Sequence, residues 1–203
     1  MKRSLIGAAF VLALLVVGGP LLARSGAAGS SITGTVTATG LSSNAEAVVY
    51  LQQVPGTFAP AAETMDQKKM QFIPHVLAVV AGSTVKFVNS DPTPHNVFSP
   101  DHEKYNLGTF PQGQSKEYAF SKCTTFPCAY TQLCRIHPEM EGFVVVLQNK
   151  YFAVSDREGK FEIKDVPPGS YTVGVWHPKL KGQSKPVVVV AGKPAEVDFT
   201  LAR

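Results

Sequence analysis

The chain has 203 residues, 44% of them apolar and only 17% charged, with 17 glycines and 15 prolines. That is enough for one large or two small packed domains, and the turn-rich, charge-poor balance excludes a disordered chain and favours an all-β protein over long solvated helices. The formal charge of +4 is not a nucleic-acid footprint or a polybasic membrane patch, because much of it comes from Lys2, Arg3 and Arg24, within or beside a targeting segment.

Lys2 and Arg3 precede an apolar stretch at 5–17, broken by Gly18-Gly19-Pro20 and followed by small residues at 23–28. This is the layout of a secretory signal peptide over residues 1–28, with cleavage expected near Ala23 or Ala28. The mature protein is then nearly neutral, free of the membrane, and periplasmic or otherwise extracytoplasmic. The alternative is a retained N-terminal anchor over 5–23. An exported protein meets an oxidising compartment, where two of the three cysteines can be bridged while the third stays single.

Residues 24–31 form a flexible lead-in of small residues. Alternation at Ile32, Gly34, Val36 and Ala38 predicts a first strand, and the apolar run 47–51 a second. Residues 54–65, with Pro55, Gly56 and Pro60, read as a linker. Strands are then expected at 71–73, 76–80, 84–88, 96–99, 115–120, 129–133 and 142–147, a spacing that suits a β-sandwich or barrel. The last part reads as a second small antiparallel sheet, with strands at 151–155, 160–163, 171–176, 187–190 and 196–201.

The stretch from Asp156 through Gly159, Phe161, Ile163, Val166-Pro167-Pro168-Gly169 and Tyr171 resembles the carboxypeptidase regulatory-like family. The resemblance implies a prealbumin-type β-sandwich without catalytic residues of its own. Two strands that this family places just before the Asp-Gly hairpin occur instead near Gly34–Val36 and Val48–Leu51. A split sandwich is therefore expected, built from 31–60 and 149–203 with residues 66–148 inserted into it. The rival layout is two domains in succession, with 31–60 belonging to the first.

Cys134, His137 and Met140 bring a thiolate, an imidazole and a thioether into one short connection between two apolar strands, and His95 opens another strand after Pro94. Two imidazoles and a thiolate with a weak axial thioether are the ligand set of blue-copper electron transfer; structural zinc prefers four strong N and S ligands. Residues 85–91, 94–98 and 130–140 resemble the plastocyanin-type cupredoxins, with a Cys-x2-His-x2-Met loop most like that of amicyanin. The resemblance implies a Greek-key β-sandwich holding one type 1 copper that cycles between Cu(I) and Cu(II). His95, Cys134 and His137 would be its equatorial ligands and Met140 its axial one. It also implies that Asn89 and Asn96 tie the His95 loop to the ligand loop, and that transient protein partners dock near His137.

Cys123 and Cys128 flank Thr-Thr-Phe-Pro where cupredoxins have a tight turn. A local disulfide is expected there, with a reactive or metal-binding pair as the alternative. His75, His102 and His177 carry no ligand pattern, and no nucleophile motif or phosphate loop is present. The leading expectation is thus a non-enzymatic carrier of single electrons. The alternatives are a copper delivery or storage protein, using Cys123, Cys128 or an exposed Met140, and a metal-free envelope module.

Overall fold

The computed structural model describes residues 30–203, so the targeting segment read at 1–28 lies outside the described residues. Among the described residues there is no helix. The chain opens with β1 (Ser30–Ala38) and β2 (Val48–Gln52). Nine strands follow: β3 (Ala62–Gln67), β4 (Phe72–Ile73), β5 (Val76–Val80), β6 (Thr84–Asn89), β7 (His95–Ser99), β8 (Tyr105–Phe110), β9 (Ser115–Ala119), β10 (Cys128–Leu133) and β11 (Glu141–Leu147). It closes with β12 (Phe152–Val154), β13 (Lys160–Val166), β14 (Gly169–Trp176), β15 (Gln183–Val189), β16 (Ala195–Glu196) and β17 (Phe199–Leu201).

These strands form four sheets. In the first, β1 lies between β13 and β16 and also pairs with β17; the second runs β12-β2-β14-β15. Both thus join the two ends of the chain: Ile32 faces Ile163, and Val49 faces both Ala153 and Val175. The intervening strands make the other two sheets, β5-β11-β10-β7-β8 and β4-β3-β6-β9.

Alternation decides how the sheets stack. On β2, Val49 and Leu51 point into a core shared with Ile32, Val36, Ile163 and Phe199, while Val48 and Tyr50 point the other way. On β11, Val144 and Val146 join Phe72, Phe87, Phe120 and Tyr130, while Phe143, Val145 and Leu147 turn toward Val48 and Tyr50. The sheets of β2 and β11 therefore share a third apolar layer, completed by Val76, Ala78 and Trp176. A sheet covered on both faces needs apolar side chains at successive positions, which is why the runs 47–51 and 143–147 do not alternate with polar residues. Gly174 on β14 belongs to this packing: a Cβ there would lie 2.7 Å from the Tyr50 ring, so only glycine lets that ring cross the strand.

Two strands lie where the sequence reading placed none. Residues 62–65, placed in a linker, belong to β3, which pairs in parallel with β6 from Ala62↔Thr84 to Gln67↔Asn89. Only Met65 and Gln67 of β3 are buried, so it has too few apolar positions to announce itself. β8 was not expected either; it pairs with β7 although Gly108, at φ 77°, interrupts its pattern. β15 also begins at Gln183, ahead of the expected 187, as an exposed strand along β14.

Candidate metal centre

β10 and β11 form an antiparallel hairpin whose last pair is Leu133↔Glu141, so residues 134–140 are its connecting loop. Leu133 also pairs with Phe98 on β7, which brings the start of β7, His95, alongside that loop. Sheet register thus joins two segments that are distant in sequence.

His95 Nδ1 lies 3.0 Å from His137 Nδ1, and Cys134 Sγ lies 4.0 Å from the first and 3.8 Å from the second. A point equidistant from the three atoms is about 2.1 Å from each, within the roughly 2.0–2.3 Å at which transition metals take imidazole nitrogen and thiolate sulfur. His95 and Cys134 are buried and His137 is partly exposed. Among the described residues this is the one group of His, Cys, Asp or Glu donors with metal-binding spacing. Met140 is buried in the same apolar core as Cys134, and its N–H donates to the His137 carbonyl at 3.0 Å, closing the loop on itself.

Proton placement on the rings follows from their partners. His95 Nε2 is 2.9 Å from Asp91 Oδ2; the carboxylate accepts the Nε2 proton and leaves Nδ1 with its lone pair facing His137. Two imidazole nitrogens cannot face each other at 3.0 Å with lone pairs alone, so a proton or a cation belongs between them. Asp91 also accepts the N–H groups of Lys69 and Met70, at 2.6 and 2.8 Å, in a turn where both residues have positive φ. Burial would raise the Asp91 pKa, but the bonds from Met70, His95 and Lys69 outweigh it and hold the carboxyl below its ordinary value. The sequence reading assigned Asp91 no role. Its position four residues before His95 was visible, but the β3–β4 turn that orients it was not.

Asn89 and Asn96 act differently from each other. The Asn89 side chain donates to the carbonyls of Thr93 and Phe110 and accepts the Asp91 N–H, which braces the loop leading to His95. The Asn96 side chain donates to Asn106, while its backbone N–H points at Cys134 Sγ from 3.4 Å. The tie to the ligand loop is therefore this backbone bond, which fixes where the sulfur sits.

The remaining histidines lie elsewhere. His75 pairs with Glu46 at 2.9 Å, His102 reaches the Ala129 carbonyl, and His177 accepts the Lys179 N–H. Cys123 and Cys128 are bridged. Behind β10, Glu103 accepts the hydroxyls of Tyr118 and Tyr130, each at 2.7 Å. Burial would raise the Glu103 pKa, but the Tyr130 and Tyr118 hydroxyls pull it below its ordinary value. A group with a depressed folded pKa stabilises above its unfolded pKa, and that stabilisation is lost as pH falls through the folded one. Glu103→Gln is expected to lower stability at pH 7 by about 2 kcal/mol. Its urea midpoint is expected to decline less than the wild type's as pH drops below about 4.3.

Residues 59–147 match the family model of copper binding proteins of the plastocyanin/azurin family. The chain carries a cupredoxin domain. Residues 139–202 match the carboxypeptidase regulatory-like domain, a match that takes in β11 of the cupredoxin hairpin and leaves out β1 and β2. No curated protein matches the chain. Solved structures similar to part of it include the following three. The purple cupredoxin from Nitrosopumilus maritimus is 24% identical, covering 41% of this chain and 98% of that one, with a TM-score of 0.37. Amicyanin from Paracoccus versutus is 25% identical over 46% and 85%, with a TM-score of 0.37. The copper-containing nitrite reductase from Thermus scotoductus is 22% identical over 57% and 28%, with a TM-score of 0.40.

Proposed function

We propose that His95, Cys134, His137 and Met140 would hold one copper ion, and that the protein carries single electrons between partners outside the cytoplasm. The observation supporting this is the convergence of three donor atoms, two from the 134–140 loop and one from β7, within 4.8 Å of one another. Bound copper would supply the Cu(I)/Cu(II) couple, for which sulfur and imidazole donors suit the two states in turn.

The chain's own part is to keep those donors still. Asp91 fixes the tautomer and tilt of His95, the Asn96 N–H fixes the position of the Cys134 sulfur, and pairing of Leu133 with both Phe98 and Glu141 pins the loop ends. Donors held this way need little rearrangement when the charge at the site changes. His137 is the member nearest solvent, flanked by Ile136, which is 46% exposed, and it is our candidate port for transient partners. The delivery alternative called for exposed soft donors, whereas Met140 is 1% exposed and the cysteine pair is bridged. We read residues 31–60 and 149–203 as one split sandwich that hosts 66–148 as an insert, giving the copper domain a fixed mount.

Purified protein given Cu(II) is expected to develop an intense visible absorption from the thiolate-to-copper transition and to show reversible one-electron voltammetry. Cys134→Ser is expected to remove that band entirely. A Cys134→Ser protein that keeps its colour refutes the assignment.

A further inference from the structure

β10 ends beside Cys134 and begins at Cys128, so the disulfide sits at the opposite end of the same strand. The bridge spans a sequence separation of five, and closing so short a loop removes little chain entropy from the unfolded state. Cys128 is buried, while Cys123 is partly exposed and open to a reductant. The sulfurs also have unusual company. His102 Nε2 lies 3.5 Å from Cys128 Sγ, and the Tyr130 hydroxyl lies 3.3 Å from Cys123 Sγ. His102 has φ 48°, uncommon for a residue with a side chain. Its ring packs against Tyr130 with centroids 4.6 Å apart, which holds the imidazole over the bridge. Glu103, bonded to Tyr130 at 2.7 Å, adds a carboxylate nearby.

We propose that reduction of the bridge turns Cys123, Cys128 and His102 into a second metal site, separate from the cupredoxin centre, that takes a thiophilic d10 cation such as Cu(I) or Zn(II). A dithiol reductant supplies two electrons and two protons; the S–S bond breaks, two thiols form, and the reductant becomes a disulfide. The cation then displaces both thiol protons to solvent, leaving two thiolates and one imidazole as ligands. His102 Nε2 is also 3.1 Å from the Ala129 carbonyl, so coordination moves the ring proton to Nδ1 and releases that contact. Two sulfurs and a nitrogen are a soft to borderline set, which selects these cations over hard ones.

The test uses the full-length Cys134→Ser protein, in which Cys123 and Cys128 are the only cysteines, with Co(II) as the probe. After phosphine reduction, one equivalent of Co(II) is expected to give thiolate-to-metal charge transfer and tetrahedral ligand-field bands, both absent from the oxidised protein. His102→Ala, and separately His102→Gln, which keeps a donor for Ala129, are expected to weaken Co(II) binding at least tenfold with native circular dichroism. Three results overturn the proposal: no charge-transfer band in the reduced protein, unchanged affinity in both His102 variants, or loss of native circular dichroism on reduction. None of them touches the reading of the centre at His95 and His137, because the background lacks Cys134.

Discussion

Phe143→Ala is expected to destabilise the whole protein by about 3–5 kcal/mol, although Phe143 belongs to neither sandwich core. Its ring sits in the shared middle layer, edge-on to Trp176 at 5.7 Å and to His75 at 5.4 Å. Truncation leaves a cavity between two sheets that cannot close up without moving one relative to the other. Trp176 is the chain's single tryptophan and lies on the sandwich side of this layer. In the wild type, its fluorescence and the far-ultraviolet circular dichroism are expected to change together in one denaturant transition. In Phe143→Ala the fluorescence transition is expected at lower denaturant and apart from the main loss of strand signal. Val188→Ser, at a site 66% exposed, serves as the control and is expected to shift stability by less than about 0.5 kcal/mol. A Phe143→Ala midpoint within that same margin would contradict the shared-layer account.

The second large effect is expected at Asp91. Asp91→Ala removes the acceptor for His95 Nε2 and for the N–H groups of Lys69 and Met70. The buried His95 Nε2 donor left without a partner costs about 1–3 kcal/mol, and the part-buried N–H groups of Lys69 and Met70 lose a charged acceptor, so a loss of roughly 3 kcal/mol is expected for the metal-free protein. Copper affinity is expected to fall about 10–100-fold, because the ring would no longer be held in one tautomer and orientation. Asp91→Asn keeps an acceptor for one N–H but presents a donor where a proton must be accepted, so its affinity is expected to fall in the same range with a smaller stability loss. Chelator competition read beside denaturant curves separates the two effects. Unchanged affinity in both variants would show that His95 needs no partner at Nε2.

The convergence of His95, Cys134 and His137 was legible because Cys134 and His137 share one short hairpin loop with Met140, and His95 stands out after Pro94 at the mouth of an apolar strand. What holds the donors was less visible. Asp91 works only because the β3–β4 turn bends back at Lys69 and Met70, and that turn rests on β3, a polar strand that pairs non-locally with β6. The Asn96 contact with sulfur is made by backbone, which residue identity does not encode. The unbroken apolar runs at 47–51 and 143–147 marked sheets covered on both faces, yet nothing in either run names the other as its cover.

The pairing of β1 with β13 and β17, and of β2 with β12 and β14, fixes an order of assembly. During synthesis β1 and β2 emerge ahead of the other described strands and find no mates until the last quarter of the polypeptide appears, by which time β3–β11 can already have closed their own core. Until then Val48-Val49-Tyr50-Leu51 is an unpaired, uncharged, strand-forming apolar segment, the kind most prone to stick to other chains. A ribosome stalled or a gene truncated before Phe152 should therefore yield a closed β3–β11 core dragging a sticky segment.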